Sequence, residues 1–275
     1  MNRPNGTSTA LASLGGLANA VIVVGLLRYF EYPLVETTIG FASVVVTAFV
    51  FGFLPVLISV RTGLLTPTIG FLTLLIGVVL VEITTPAPER VGRLGSSHIV
   101  EGPFYVYEYA DSWYVWLALL LVAGVGEFAI RRGYGLGDQR LRRVPTLPLS
   151  QAASVGVAVG LGSVLGAATA LLTGVSLGLG PIESVIIGCL VAAATAIPLT
   201  ALLSSGIVAP FALFAFWIVL VLRALVFGSP TGIAALAVPG LLAVLCTVVW
   251  IVEHLLRSRF RGWNGGRFAN SIRPR

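Results

Sequence analysis

Eight long apolar runs are the feature that most constrains how this chain of 275 residues can fold. A helix needs about 20 apolar residues to cross the hydrocarbon core of a bilayer, and each run has about that length. Because lipid offers no hydrogen-bond partners to backbone amides, such runs must be helical. We therefore predict an all-α, polytopic membrane helix bundle with about eight spans. They lie at residues 8–28, 38–60, 63–83, 112–130, 151–173, 182–204, 206–227 and 231–256.

Two features leave the number of spans open between about seven and nine. The stretch 151–181 is long and rich in glycine, so its division into helices is ambiguous. The first run contains Leu17–Ala20, which resembles a signal-peptidase site. Because the apolar run continues to Leu27, we expect this segment to be retained as a membrane helix.

The charge content excludes several classes of protein. Only 10% of the residues are charged and 57% are hydrophobic, whereas soluble domains carry about 25% charged residues. All 17 basic residues are arginine, and the lack of lysine excludes a P-loop and a lysine Schiff base. Most arginines flank the apolar runs, which is typical of topology determinants, so we expect no nucleic-acid partner.

The arginines also predict an orientation. With the N-terminus in the cytoplasm, 13 of the 17 arginines lie inside, in agreement with the positive-inside rule. We therefore predict a multi-pass protein of the cell (plasma) membrane with both termini in the cytoplasm. The basic segments 131–143 and 257–275 would face anionic lipid headgroups there. The four arginines outside would be Arg28, Arg90, Arg93 and Arg223.

Four residues recur at a constant offset, which indicates an internal repeat. Each residue of the first set has the same type 143 positions later. The unit has a proline before the end of one helix, a glycine in a tight turn, and a proline near the start of the next helix. Independent use of proline and glycine in these roles is the alternative. The pairs are Pro55 and Pro198, Gly63 and Gly206, Pro67 and Pro210, and Phe71 and Phe214.

The offset spans an even number of helices, so duplicated halves would have the same orientation in the membrane, as in parallel-repeat transporters. We predict two parallel four-helix halves, joined by a basic cytoplasmic linker and followed by a basic tail. The first half would include a long outer loop at 84–111. The predicted boundaries are 1–130 for the first half, 131–150 for the linker, 151–256 for the second half and 257–275 for the tail.

Few polar side chains lie within the spans, and four are candidates for transport or gating. Glu82 and Arg223 end the third and seventh spans and could pair to lock the outer face, or each could reach toward the headgroups. Glu183 opens the sixth span, where a helix N-terminus stabilises a carboxylate, and proton or cation coupling is the functional alternative. Asn19 is the clearest uncharged polar group at depth, and interhelical hydrogen bonding is its ordinary use.

Two ion pairs are predicted near cytoplasmic helix ends. Glu127 precedes Arg131 by four residues, and Glu253 precedes Arg257 by four. This spacing favours a pair on one helix face. We expect both pairs to anchor helix ends at the membrane interface.

The fifth span contains Gly156, Gly160, Gly162 and Gly166, which form two G-x-x-x-G spacings. Glycines at this spacing let a second helix backbone approach closely. The neighbour could be another helix of this chain or a second subunit, and internal packing is our expectation.

The outer loop contains a predicted β-hairpin. Ser97–Val100 would pair with Phe104–Tyr109 across a Glu101-Gly102-Pro103 break. Tyr105, Tyr107 and Tyr109 would then share one face, as an interfacial aromatic belt or as a partner-binding surface.

The sequence contains no recognisable catalytic constellation. His98 and His254 fall on opposite sides of the membrane in the predicted topology, so they cannot share a metal. The sequence lacks H-E-x-x-H, C-x-x-C and G-x-S-x-G motifs. Cys189 and Cys246 lie in apolar runs and are interpreted as small buried hydrophobes. We predict no catalytic residues, no metal and no cofactor, and enzyme activity is the least favoured function.

The leading functional prediction is a transporter or permease-like protein for an apolar, zwitterionic or lipid-like cargo. The repeat and its proline-containing hairpins favour transport, while the scarcity of buried charge argues against steep ion coupling. The alternative is a non-catalytic membrane subunit or scaffold that binds a membrane-protein partner or forms a homo-oligomer. A lipid-modifying membrane enzyme is third.

Overall fold

The computed structural model describes residues 5–32, 35–86, 89–94, 97–101, 104–175, 177–228 and 232–259. Within these ranges, eight helices are long and apolar enough to cross a membrane, which confirms the predicted all-α membrane bundle. All the helices that follow except the short α4 are candidate spans. In chain order they are α1 (Asn5–Tyr29), α2 (Thr38–Thr62), α3 (Thr66–Thr84), α4 (Tyr105–Asp111), α5 (Trp113–Tyr134), α6 (Gln151–Val175), α7 (Pro181–Ser205), α8 (Ala209–Phe227) and α9 (Gly232–Arg259).

Large apolar side chains cover the outside of these helices. Val21, Ile39 and Ile182 are 70%, 85% and 74% exposed, and they lie in three different spans. A continuous apolar surface of this kind is not stable against water, whereas helices that are apolar all round suit a membrane. The protein is therefore a multi-span membrane protein whose outer helix faces contact lipid.

Two compact units make up the chain. Unit 1 comprises Met1–Val60 and Thr68–Trp113, so it contains α1, α4 and most of α2 and α3. Unit 2 comprises Arg61–Pro67 and Tyr114–Arg275, so it contains the turn between α2 and α3 together with α5 to α9. The organisation into two four-helix halves, and the internal repeat, stay predictions.

In unit 1, small residues let α1 and α2 touch. A Cβ atom on Gly52 would lie 2.5 Å from the carbonyl oxygen of Gly15, so the two backbones are in direct contact. Beside this contact, the ring of Phe51 lies 5.6 Å from that of Phe71 and 5.5 Å from that of Tyr109. All three rings are buried, and together they form the aromatic core of the unit.

In unit 2, α7 packs against α6, α8 and α9. The contact with α6 is the closest, because glycines meet there. A Cβ atom on Gly166 would lie 2.3 Å from the carbonyl oxygen of Gly188, and one on Gly162 would lie 2.6 Å from that of Ala192. Any larger residue at these positions would force the two helices apart.

The four glycines of the two G-x-x-x-G spacings in α6 therefore have two different environments. Gly162 and Gly166 are buried against α7. Gly156 and Gly160 are exposed, and a Cβ atom on either would meet no atom within 4 Å. One G-x-x-x-G spacing thus serves packing within the chain, and the other faces outward.

The outer hairpin differs from the prediction. Strand β1 (Glu89–Leu94) pairs antiparallel with β2 (Ser97–Glu101). The predicted strand at Ser97–Val100 is therefore present. The prediction that it pairs with Phe104–Tyr109 is wrong, because its partner is β1. The segment 104–109 belongs mainly to α4, and its three tyrosines do not lie on one face of a strand. The reason is a carboxylate, that of Glu82, which accepts a hydrogen bond from the Val106 N–H at 3.0 Å in the first turn of α4. Residues 102–103 of the predicted break lie outside the described residues.

The cysteines also differ in part from the prediction. Cys246 is buried, but Cys189 in α7 is exposed, so the prediction of a buried side chain is wrong there. Hydropathy alone cannot distinguish a lipid-facing position from an internal one, because both are apolar.

Candidate functional site

Glu127 and Arg131 of α5 hold the turn between α2 and α3. The Glu127 carboxylate accepts hydrogen bonds from the N–H groups of Leu65 at 2.8 Å and Thr66 at 2.7 Å. Arg131 Nη1 lies 2.7 Å from Glu127 Oε1 and donates to the carbonyl oxygen of Gly63 at 2.9 Å. The expected ion pair therefore forms, and it also satisfies N–H groups at the start of α3 that have no partner within the helix. We call this arrangement the first clamp.

A second clamp holds the turn between α7 and α8. Glu253 of α9 accepts a hydrogen bond from the Ala209 N–H at 2.9 Å. Arg257 Nη2 lies 2.6 Å from Glu253 Oε1 and donates to the carbonyl oxygen of Gly206 at 2.9 Å. The hydroxyl of Tyr134 donates to the same carbonyl at 2.6 Å. The second predicted ion pair therefore also forms, and it makes hydrogen bonds to the backbone of the turn between α7 and α8.

The two clamps make corresponding contacts. In each, the carboxylate binds the N–H of the first residue of the following helix, Thr66 or Ala209. In each, the arginine binds the carbonyl of a glycine with left-handed backbone, at φ +79° for Gly63 and +65° for Gly206. A Cβ atom on Gly63 would also lie 2.2 Å from the Arg140 carbonyl oxygen, so only glycine fits there.

The prolines of the predicted repeat occupy matching places. Pro67 and Pro210 are the second residues of α3 and α8, where a missing N–H is harmless. Pro55 and Pro198 are buried inside α2 and α7. A proline inside a helix removes one backbone hydrogen bond, and such points are where helices bend.

Glu82 is buried near the end of α3, at 5% exposure. Its Oε1 accepts a hydrogen bond from the Tyr32 hydroxyl at 2.5 Å, and its Oε2 accepts one from the Val106 N–H at 3.0 Å. The carboxylate therefore joins the segment after α1 to α3 and α4. Arg223 is an exposed residue of α8 in unit 2, and its pairing with Glu82 stays a prediction.

Asn19 links α1 to two other elements of unit 1. Its Nδ2 donates to the carbonyl oxygen of Ala48 in α2 at 2.7 Å, and its Oδ1 accepts from the Tyr109 hydroxyl of α4 at 3.0 Å. Both side chains are buried, so these bonds satisfy polar groups that would otherwise be costly. A role of Asn19 in transport stays a prediction.

The end of unit 1 that contains α4 holds protonatable groups in poorly hydrated surroundings. Burial, together with the nearby Glu82 carboxylate, raises the pKa of Glu108 to about 7. Burial also raises the pKa of Tyr32 and of Tyr107. Sequence reasoning missed Tyr32 and Glu108 because both lie outside the apolar runs, and the tyrosine-rich stretch was the only signal near them.

Glu183 has a local role in the structure. It is the third residue of α7, is exposed, and accepts a hydrogen bond from the Gly180 N–H at 3.1 Å. A carboxylate in this position stabilises the helix start. Coupling to a proton or cation stays a prediction.

No known protein family matches this chain, and no curated protein or solved structure is detectably similar to it. Within the described ranges, no group of three or more His, Cys, Asp or Glu residues is arranged to hold a metal ion. The geometry of the two clamps and of the outer network therefore carries the functional argument.

Proposed function

We propose that this chain is a permease-like membrane protein that moves an apolar, zwitterionic or lipid-like cargo across the bilayer. The observation that carries the proposal is the pair of corresponding clamps on the two proline-containing hairpins. Many transporter folds are built from internal repeats, and two corresponding clamps are what such a repeat would produce, although fold by itself does not define cargo.

Helix lengths support the duplication on which the proposal rests. The helices α2 and α7 both have 25 residues and begin 143 positions apart, while α3 and α8 both have 19 residues and begin 143 positions apart. The clamp residues of α5 and α9 are 126 positions apart, so the connection before the clamping helix is shorter in the second copy. Two copies with the same orientation agree with the predicted parallel halves.

A mechanism follows from where the helices are held and where they can bend. The clamps fix the turn of each hairpin by hydrogen bonds to its backbone, so each turn moves together with α5 or α9. Pro55 and Pro198 lie seven residues before the ends of α2 and α7 and provide the bending points. Cargo passage would use bending of these helices about the clamped turns. It would not need coupling to an ion that binds within the membrane.

The proposed orientation in the plasma membrane, with both termini in the cytoplasm, can be tested with inserted epitope tags. Tags after Thr62 and Gly137 should be accessible only from the cytoplasm, and a tag after Val100 only from outside. Accessibility of the Thr62 and Val100 tags from the same side would contradict the arrangement.

Transport can be measured in vesicles that contain the full chain. Candidate cargoes are a fluorescent phosphatidylcholine, a fluorescent monoacylglycerol and a zwitterionic amino acid, each followed across the membrane over time. At least one should cross faster than in protein-free vesicles, and Glu127→Gln together with Glu253→Gln should slow it. Glu36→Gln is the control, because this carboxylate is exposed and belongs to neither clamp. Rates equal to protein-free vesicles for all three cargoes would refute transport.

The outward-facing Gly156 and Gly160 favour a second candidate, a non-catalytic subunit or scaffold. Glycines at this spacing on a lipid-exposed face accept a partner helix. Purification in mild detergent separates the two functions. A stoichiometric protein partner that is lost in Gly160→Leu favours the scaffold, whereas a homogeneous particle that transports in vesicles favours the permease.

A further inference from the structure

One face at the end of α5 makes contacts with both clamped turns. Glu127, Arg131 and Tyr134 follow one another at steps of four and three residues, so they lie on the same side of the helix. The first two bind the backbone of the turn between α2 and α3. Tyr134 is the last residue of α5, and its hydroxyl donates to the Gly206 carbonyl oxygen in the turn between α7 and α8 at 2.6 Å. Both turns and α5 belong to unit 2.

The Gly206 carbonyl is the point where α5 meets the second clamp. Besides the Tyr134 hydroxyl, it accepts a hydrogen bond from Arg257 Nη2 at 2.9 Å. The same arginine nitrogen donates to the Tyr134 hydroxyl at 3.3 Å, and Arg257 Nη1 donates to the Ser205 carbonyl at 3.3 Å. The carbonyls at the end of a helix have no partner within it, so these side chains satisfy the end of α7.

The burial of this network makes it resistant to displacement. The side chains of Arg257 and Glu253 are only 12% and 10% exposed, and Tyr134 is half-buried. Hydrogen bonds that involve a charged partner are stronger than neutral ones, and poor hydration strengthens them further. A tyrosine side chain also rotates about only two torsions, so it leaves little slack between α5 and the turn. A shift of either turn relative to α5 therefore breaks bonds to this helix.

The tyrosine is present in one copy of the clamp and not in the other. The clamp residues of α5 recur 126 positions later as Glu253 and Arg257, and the position that corresponds to Tyr134 is Phe260. Residue 260 lies outside the described residues, but a phenylalanine has no hydroxyl and cannot donate a hydrogen bond. The bond from α5 to the second turn is therefore an addition to the clamp that the two copies share.

We propose that Tyr134 couples the two clamps, so that the turns of the two hairpins shift together as one body. Its hydroxyl transmits a displacement of one turn to the other through the end of α5, which makes it a positioning residue. The meaning of this coupling for transport rests on the proposed permease function, because coupled turns would make both hairpins bend in the same step. The coupling itself requires no cargo, so it is measured without one.

The test is hydrogen–deuterium exchange of the turn amides in the full chain in lipid nanodiscs. Glu253→Gln weakens the second clamp, and the amides of Leu65 and Thr66 should then exchange about fivefold faster although their own acceptor is unchanged. Coupling between two sites is reciprocal, so Glu127→Gln should accelerate exchange at Ala209 by the same factor. Each direction is a complete test, which covers the failure of either variant to fold.

Tyr134→Phe decides whether the hydroxyl carries the coupling, because it removes the donor and keeps the ring. In this background Glu253→Gln should leave exchange at Leu65 and Thr66 unchanged, while exchange at Ala209, which binds Glu253 directly, should still rise. A merely structural role of Tyr134 would speed exchange at both turns and leave the coupling in place. Tyr29→Phe is the matched control, since it makes the same change in a residue that is 79% exposed, and it should leave the coupling intact.

Two results would overturn the proposal. One is exchange in the first turn that does not respond to Glu253→Gln in the native background. The other is an equal response with and without the Tyr134 hydroxyl. Transport in vesicles is a separate readout, in which Tyr134→Phe should slow the cargo. Coupling without any transport would refute the permease and leave the coupling standing, whereas transport without coupling would refute only the role of Tyr134.

Discussion

Removal of the Glu127 carboxylate tests whether the first clamp holds the turn between α2 and α3. In Glu127→Ala, Arg131 loses its partner and the N–H groups of Leu65 and Thr66 lose their acceptor. The methyl group of alanine cannot accept a hydrogen bond in place of the carboxylate. The variant therefore leaves two backbone donors unpaired and removes the counter-charge of Arg131, which keeps its hydrogen bonds to the carbonyl oxygens of Gly63, Leu136 and Gly137.

The cost can be worked from burial and geometry. The side chains of Arg131 and Glu127 are 13% and 12% exposed, so solvent screens the pair weakly. Breaking a buried pair by removing one partner costs about 3–5 kcal/mol. Because the clamp lies near a helix end that water can reach, we expect the lower end, about 3 kcal/mol. Glu127→Gln keeps an acceptor for one N–H group and should cost about half as much.

The assay is reversible unfolding in mixed micelles, with helicity measured by circular dichroism as the denaturing detergent is increased. The matched control is Glu183→Ala, which removes one exposed helix-capping carboxylate and should cost about 1 kcal/mol. A double-mutant cycle of Glu127→Gln with Arg131→Gln should give a coupling of about 1–2 kcal/mol. Equal losses in Glu127→Ala and Glu183→Ala, or a coupling near zero, would refute the reasoning.

Three further predictions concern packing, the buried network and pH. Gly166→Ala should lower the free energy of unfolding by about 2 kcal/mol because its Cβ meets the α7 backbone, whereas Gly160→Ala on the open face should raise it by up to about 1 kcal/mol; similar effects in the same unfolding assay would contradict the packing. Asn19→Ala should cost about 1–3 kcal/mol and more than Tyr109→Phe, because it removes the hydrogen bonds to both Ala48 and Tyr109, whereas Tyr109→Phe removes only one of them; the reverse order would contradict the network. Burial raises the pKa of Glu108 to about 7, so the folded state binds the proton more tightly than the unfolded state does. Stability should therefore fall as pH rises from about 5 to 7, and the loss should be absent in Glu108→Gln if thermal midpoints are compared across that range.

The hairpins show what could be predicted from pattern and what could not. Recurrence of proline and glycine at a fixed offset indicated matching turns, and the i, i+4 spacing predicted the ion pairs on α5 and α9. Neither pattern revealed that each pair binds the backbone of a turn, because Glu127 and Leu65 are 62 positions apart. Contacts over such distances depend on how helices pack, which hydropathy does not encode.

The outer segment shows the opposite case, in which local pattern was misleading. Alternating apolar and aromatic residues at 104–109 favoured a strand, but the segment starts α4. The buried carboxylate of Glu82 binds the Val106 N–H there, and this tertiary contact outweighs a weak local preference. Glu108 escaped notice for the same reason, since its raised pKa depends on burial by residues distant in sequence.

By itself the sequence determined that the chain is a bundle of about eight membrane helices, because a run of about 20 apolar residues has no other stable form in lipid. It also determined where the tight turns fall, because glycine and proline restrict the backbone locally. Only the tertiary structure decided which glycines of α6 touch a neighbour and which face outward, since all four have the same spacing and the same apolar surroundings. It likewise decided that the buried Ser184 hydroxyl has no hydrogen-bond partner among the described residues, because a hydroxyl is satisfied or left unpaired only by what the fold places beside it.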